Sequence, residues 1–511
     1  MFASLVPHFA EVNRKVMWSG HAFKRVYENI RGNNCAIKAT FTAAENEQTN
    51  GRIGRTDMNM YDIAIIGAGP GGYSAALFAA SKGKKVALFE ERAIGGVCLN
   101  EGCIPTKTLL HSAHLLEDMR ESAKCGIKYE GDLTIDFKRI AARKTKIVRK
   151  LTAGVSMRLK EAGVEVIATR AQLNGEADGA IRIVADGTEY LATDVILAAG
   201  SETVIPPIPG VETSGYITSR EALDAKELPQ SIAIIGGGVI GIEFADFYQS
   251  MGVKVTVIEM MPEILGNMDK ETSAMLRESL TKRGIEILLQ TKVTALAPGE
   301  VTIEKQDGTS ETLQAEKTLL CVGRRPQSKG LGLESLSIEM NRAAVKTNEY
   351  LQTSHPHVYA IGDLNGVSLL AHTAVREGEV AVEHILNAPN APKMCYRAIP
   401  GIVYTHPEIA GVGATEEALQ ASGEPYQVKK LPMSYAGRFI VESEGVNGLC
   451  KIITDKEDRI IGCHLLGNPA SEIILIAAIA VAEGMKAEDF RRNCFPHPTV
   501  GEILHETLLE G

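Results

Sequence analysis

Apolar positions along the chain fall in short blocks separated by glycine. Tyr61–Ile66 (YDIAII) is one such block; it meets Gly67-Ala68-Gly69-Pro70-Gly71-Gly72, then an alanine-rich stretch to Lys82, then a second apolar block, Lys85–Glu90 (KVALFE). Short apolar runs bounded by glycine read as buried parallel strands, and the alanine-rich stretch reads as a helix. The pattern predicts strand, tight turn, helix, strand. It returns at Ser231–Ile235 (SIAII), Gly236-Gly237-Gly238-Val239-Ile240-Gly241, a second helical stretch and Lys254–Glu259 (KVTVIE).

In both copies the glycines keep G-x-G-x-x-G spacing: Gly67, Gly69 and Gly72, then Gly236, Gly238 and Gly241. Each is followed by an acidic residue, Glu90 or Glu259, 23 residues after the first glycine. The first glycine allows the tight turn, the second lets a pyrophosphate approach the backbone, and the third lets helix and sheet pack closely. The helix N-terminus offers unpaired N–H donors to phosphate, and the acid accepts hydrogen bonds from a ribose hydroxyl. Glu259 would repel a 2′-phosphate, and Met260-Met261-Pro262-Glu263 supplies no cation to receive one, so the second unit is expected to take NAD rather than NADP.

Composition narrows the rest. The 511 residues, 45% hydrophobic and 23% charged, suit a globular protein of several domains. Net charge is −9: the first 57 residues carry eight Lys/Arg against five Asp/Glu, so the remainder is more acidic still. An acidic body argues against broad nucleic-acid binding. The longest aliphatic run near the C-terminus, Ile473–Ala482, is too short for the ~20 residues of a membrane span and reads as a buried helix. Residues 1–57 show neither strand alternation nor a glycine fingerprint, nor the Arg/Ser richness of a transit peptide. They read as an extension of unknown role, the body as cytoplasmic of bacterial type; the mitochondrial matrix is the alternative if they target the chain.

Nine cysteines, an odd number thinly spread, look intracellular. Only Cys98 and Cys103 are close, within GGVCLNEGCIPTK (95–107). In a regular helix their Cα atoms would stand ~8–9 Å apart, beyond the ~4.4–6.8 Å of a disulfide. If they bond, the backbone leaves helix there, which Gly102 and Pro105 make feasible, and such a small ring would be easily reduced. Two unrelated thiols are the other reading; no metal is expected, because no second Cys/His pair lies near. Phe495-Pro496-His497-Pro498-Thr499-Val500-Gly501-Glu502 sets one His between prolines with a carboxylate five residues on. Thiol exchange needs a base working near neutral pH, and this pair fits that need.

With GGGVIGIEFA, CVGRRP, YAIGD, YTHPEIAGVG and HPTVGE added, residues 60–511 resemble the flavin-dependent pyridine-nucleotide disulfide oxidoreductases, in particular the branch that oxidises dihydrolipoyl groups carried on other proteins. The resemblance implies an α/β fold with two Rossmann-like dinucleotide-binding domains, for FAD and NAD, and a C-terminal α+β dimerisation domain. It places an FAD domain at 58–204 and 325–394, an NAD domain at 205–324 and the interface domain at 395–511. Ala199, Gly200 and Asp363 would line the FAD site, and Gly323 of CVGRRP falls among the cofactor-binding residues. Cys98 would exchange with substrate, Cys103 would face the flavin, and Lys107 would pair with Glu243 beside it. His497, oriented by Glu502, would act as base from the partner subunit of a homodimer. Expected partners are lipoyl-bearing E2 or glycine-cleavage carrier proteins. Phe495 stands where the family often has His. Glutathione-type and mercuric reductases are the rival enzymes, opposed by Glu259 and by a tail, LHETLLEG, without a cysteine pair. A non-catalytic FAD-binding scaffold would have lost redox residues that this chain keeps.

Overall fold

A computed structural model describes residues 60–511. The extension expected over 1–57, with Trp18 and Cys35, lies outside the described residues.

The first apolar blocks form β1 (Met60–Ile66) and β2 (Val86–Phe89), joined by α1 (Pro70–Ser81). Two helices follow, α2 (Gly96–Glu101) and α3 (Cys103–Glu121), then the long α4 (Phe137–Glu161). With β3 (Glu165–Ile167), β4 (Ala171–Ala177), β5 (Ala180–Ala185) and β6 (Thr188–Leu197), the strands run in the order β3-β2-β1-β6-β5-β4. β1 pairs in parallel with β2 and β6, and β4–β6 form an antiparallel meander. Ile63, Ala64 and Ile65 are fully buried, as a strand covered on both faces must be. Each such Ile contributes on the order of 1.5–3 kcal/mol by leaving water.

The chain then leaves this sheet and builds a second one, parallel throughout, from β7 (Ser231–Ile235), β8 (Lys254–Ile258), β9 (Glu286–Leu288) and β10 (Lys317–Leu320) in the order β9-β8-β7-β10. Its helices are the short α5 (Ser219–Leu223), α6 (Val239–Ser250) and α7 (Lys270–Lys282). Afterwards β11 (Val358–Ala360) returns to pair with β6 of the first sheet, and α8 (Ala371–Ile385) packs on α1. A Cβ on Gly378 of α8 would stand 3.1 Å from both the Gly71 carbonyl and Ala75 Cβ, so the two helices meet backbone to backbone.

The C-terminal part is a five-stranded antiparallel sheet, β12 (Gly401–Val403), β13 (Ile409–Gly413), β14 (Tyr426–Pro432), β15 (Leu449–Asp455) and β16 (Ile460–Leu466), ordered β12-β13-β16-β15-β14. One face packs on α9 (Ala470–Glu483) and α10 (Ile503–Glu510) through Ile452, Leu465, Ile474, Ile503 and Leu504. Toward the second sheet's domain, the buried Lys451 ammonium meets Asp269 at 2.9 Å and Glu271 and Glu416 at 2.7 Å. This ties the sheet to the start of α7.

The aliphatic run at 473–482 does form a helix, but the expectation that it is wholly buried needs correction. Ile473, Ile474, Ala477 and Val481 face the sheet, while Leu475 and Ile479 are 60% and 53% exposed. A helix lying on one sheet buries one stripe of its surface, and here the outer stripe is apolar as well. Among the described residues, no helix is long and apolar enough to cross a membrane.

Candidate active site

The segment carrying the cysteine pair breaks its helix between them. Gly102, with φ −146° and ψ −109°, separates α2 from α3. That break replaces helical spacing with contact: Cys98 and Cys103 are free thiols, hydrogen-bonded to each other. Cys103 is the first residue of α3, where helix N–H groups and the axial dipole favour an anion. The Cys98 hydrogen bond and then the Lys107 ammonium lower the Cys103 thiol to about 7. The same hydrogen bond, with burial, pushes Cys98 well up. The first negative charge on the pair therefore belongs to Cys103.

Lys107 lies one turn into α3 and Glu243 one turn into α6. The ammonium meets the two carboxylate oxygens at 2.8 and 2.7 Å. Glu243 is buried and also accepts from the Tyr404 N–H at 3.0 Å, while the Tyr404 ring lies 4.5 Å from the Lys107 nitrogen. Further along the same helices His114 meets Asp246 at 3.0 Å, and Arg120 of α3 donates to the Ser250 carbonyl at 2.7 Å. The two helices thus run alongside each other with both N-termini at one place. Lys107→Met is expected to move the reactive thiol to higher pH. Iodoacetamide alkylation of the reduced protein should rise through a midpoint near 7 in the wild type and later in the variant; an unmoved midpoint would remove Lys107 from the thiolate's support.

These groups open onto one cavity of about 1800 Å³, well above the ~300–1,000 Å³ of an ordinary ligand pocket. Gly67, Gly69, Glu90, Cys98, Cys103, Lys107, Ala199, Gly200, Gly238, Glu243, Gly323 and Asp363 all line it. Gly72, Gly236, Gly241 and Glu259 are not among its lining residues. The two glycine turns match in detail. Gly67 and Gly236 have φ of +106° and +109°, and a Cβ on either would strike the carbonyl of Ala198 or Cys321 at 2.3 or 2.5 Å. Gly72 and Gly241 sit over the carbonyls of Gly67 and Gly236, at 1.8 and 2.1 Å from a would-be Cβ. Gly69 and Gly238 have nothing within 4 Å on that side, and neither α1 nor α6 has a side-chain cap. Each turn is therefore open where a phosphate would approach and closed where the fold needs contact, so both fit a dinucleotide.

The carboxylates at the 23-residue offset do something the sequence did not announce. Glu90 accepts from the Ala68 N–H at 2.8 Å, and Glu259 from the Gly237 N–H at 2.6 Å. Each brackets its own glycine turn. Gly72→Ala is expected to fold poorly and lose bound flavin, whereas Gly69→Ala should fold and bind flavin more weakly. Circular dichroism with flavin absorbance separates the two outcomes, and equal behaviour would contradict this division of labour.

His497 and Glu502 come together but stand apart from the thiols. His497 Nδ1 lies 2.8 Å from a Glu502 oxygen, whose other oxygen accepts from the Thr499 N–H at 2.8 Å. That N–H first, then His497, holds the Glu502 carboxyl below its usual range. With Nδ1 so engaged, Nε2 is left free to take a proton. The His497 side chain is 79% exposed and does not line its own chain's cavity. Phe495 packs between Phe490 and His505.

Ser201, Arg324, Glu101 and Tyr404 also take part, although no pattern in the sequence singles them out. Ser201 donates to Asp363 and accepts from Arg324 at 2.8 Å, setting an Arg–Ser–Asp relay in the cavity wall. Glu101, between the two cysteines, pairs with Arg92 and with Arg220 of α5. Tyr404 precedes the HPE of a motif already noted, and that position was its only signal.

Two dinucleotide turns meeting at a thiol pair on a helix N-terminus define a thiol–disulfide oxidoreductase that works with two dinucleotides. The chain belongs to the pyridine nucleotide-disulphide oxidoreductase family, whose model matches residues 61–378, with that family's dimerisation domain over 399–508. It is 37% identical over 465 residues to dihydrolipoyl dehydrogenase 3 of Pseudomonas aeruginosa, covering 89% of this chain and 98% of that one. It is 36% identical to the dihydrolipoyl dehydrogenase of Bacillus subtilis, covering 88% and 97%. Among solved structures, LpdA from Mycobacterium tuberculosis superposes with TM-score 0.80 at 28% identity, over 88% of this chain and 98% of that one. The HOCl-induced flavoprotein disulfide reductase RclA from Escherichia coli gives 0.76 at 28% identity, over 88% and 100%.

Proposed function

We propose that the chain is a dihydrolipoyl dehydrogenase, oxidising carrier-bound dihydrolipoyl groups with NAD⁺ as final acceptor. The observation that carries this is the Cys98–Cys103 thiol pair with Lys107 at the start of α3, in a cavity joining two open glycine turns. The names of the relatives support it.

FAD would lie on Gly67, Gly69, Gly72 and Glu90, with Ala199, Gly200 and Asp363 along its length, and NAD on Gly236, Gly238, Gly241, Glu259 and Gly323. FAD, when bound, supplies the relay between two-electron thiol chemistry and hydride chemistry. The return of β11 to the first sheet supports assigning 58–204 with 325–394 to FAD, 205–324 to NAD and 395–511 to the interface. The match to the family's dimerisation domain supports a homodimer as the working unit.

In the proposed reaction His497 of one subunit takes a proton from a substrate thiol in the other subunit's site. The substrate thiolate attacks Cys98 of the oxidised Cys98–Cys103 pair, forming a mixed disulfide and releasing Cys103 as thiolate. Lys107, the helix N-terminus and the Cys98 side hold that charge. The second substrate thiol, deprotonated in turn, closes the lipoyl disulfide and releases Cys98. Bacterial relatives favour the cytoplasm; the matrix alternative rests on residues 1–57, outside the described residues.

The test compares dihydrolipoamide with NAD⁺ against glutathione disulfide with NADPH. Preference for the second pair would overturn the reading, and absence of turnover with flavin bound would favour a scaffold.

A further inference from the structure

Helix α4 carries a charge pattern unlike the rest of the chain. Its 25 residues hold nine Lys/Arg and one acid, Glu161 at the last position, in a protein of net charge −9. The ninth cation explains itself: Lys144 is buried and bonds the Leu223 carbonyl at 2.7 Å and Asp224 at 3.1 Å. The others are exposed.

At ~100° per residue, Lys138, Arg139, Lys146, Arg149, Lys150 and Lys160 fall within about one third of the helix circumference, opposite the buried Lys144, Val155 and Leu159. Among the described residues, none of these six pairs with a carboxylate. Surface helices ordinarily intersperse signs, and like charges one turn apart, such as Lys146 and Lys150, oppose helix formation. This face therefore holds unrelieved positive charge along a helix ~37 Å long.

Its place in the fold gives that charge a use. Arg143 of α4 donates to the Thr108 carbonyl of α3 at 3.1 Å, so α4 lies along the helix that begins at Cys103. Helix α4 also packs on α1 and on α2, the helix that carries Cys98. The basic face is thus the outer side of a helix packed against both cysteine-bearing helices.

We propose that the exposed face of α4 is a docking surface for an acidic protein partner: the carrier domain that presents the dithiol. The proposal rests on the dihydrolipoyl reading of the site. A carrier on a tether must find the cavity and leave it at every turnover. Charge steering speeds encounter more than it tightens the complex, which suits that traffic. The inward apolar stripe of α4 is already packed against α1–α3, which disfavours a lipid surface. The net negative charge of the chain disfavours a nucleic acid, whose phosphates are denser than protein carboxylates.

The test uses the full-length flavin-loaded dimer and two synthetic peptides, each bearing one dihydrolipoyl-lysine, one flanked by glutamates and the other by glutamines. At low ionic strength the glutamate peptide is expected to give a kcat/KM about tenfold higher, an advantage that falls below about twofold in high salt. In K146E/R149E/K150E the advantage should vanish or reverse, with free dihydrolipoamide turnover unchanged. Equal rates for the two peptides in the wild type, or an advantage that survives charge reversal, would overturn the proposal. So would loss of binding to anionic vesicles or duplex DNA in the triple variant with carrier kinetics unmoved. Failure with free dihydrolipoamide itself would instead strike the underlying reading of the site.

Discussion

Cys98→Ser is expected to lower dihydrolipoamide oxidation by at least ~10³-fold while the protein stays folded and keeps its flavin. The argument is chemical. Serine can donate the hydrogen bond that Cys98 gives Cys103, and it fits the same half-buried space, so the structural cost is small. It cannot form a mixed disulfide with substrate, so the proposed exchange has no first step. Cys103 should remain an acidified thiol, still supported by Lys107 and the start of α3, and alkylation near pH 7 should persist. Cys103→Ser should lose both, because the remaining Cys98 thiol has no equivalent charge support. Turnover of Cys98→Ser above a tenth of the wild type, with flavin content matched, would exclude the Cys98–Cys103 mechanism.

What could be read from the chain divides by distance along it. The glycine turns are legible because everything they need is local: a strand, a turn with positive φ at Gly67 or Gly236, and a helix that starts at once. The departure from helix at Gly102 is legible only as a condition of a Cys98–Cys103 bond, and the structure has it with both thiols free. The carboxylate offset was legible as a number but only half as a role, since the hydrogen bonds from Ala68 and Gly237 are closed by tertiary structure. The convergence of Lys107, Glu243 and Tyr404 joins residues up to 297 positions apart. Their mutual geometry depends on how α3 and α6 lie side by side, and no periodicity encodes that. The exposed apolar stripe of α9 is not legible in the sequence, because an aliphatic run does not say how many neighbours it has. The basic face of α4 was in plain view, but a charge run acquires meaning only once its faces and neighbours are known.

Mixing His497→Gln with Cys98→Ser is the second large effect expected. Each variant alone should be nearly inactive, His497→Gln by ~10²–10⁴-fold through loss of the base. His497 is exposed and outside the cavity of its own chain, although Glu502 orients it as a base needs. In the proposed two-fold dimer each site would draw its cysteines from one subunit and its base from the other. In a heterodimer of the two variants one site is doubly disabled, whereas the other joins an intact Cys98–Cys103 pair to an intact His497. After unfolding and random reassociation in the presence of FAD, half of the dimers are mixed and each carries one good site. Activity should therefore return to about one quarter of the wild type. A base acting within its own chain predicts no recovery at all, because every subunit in the mixture lacks one partner. Recovery also requires exchange of subunits, so mixing without reassociation should stay inactive. The experiment thus reads the trans arrangement directly, without depending on the size of either single defect.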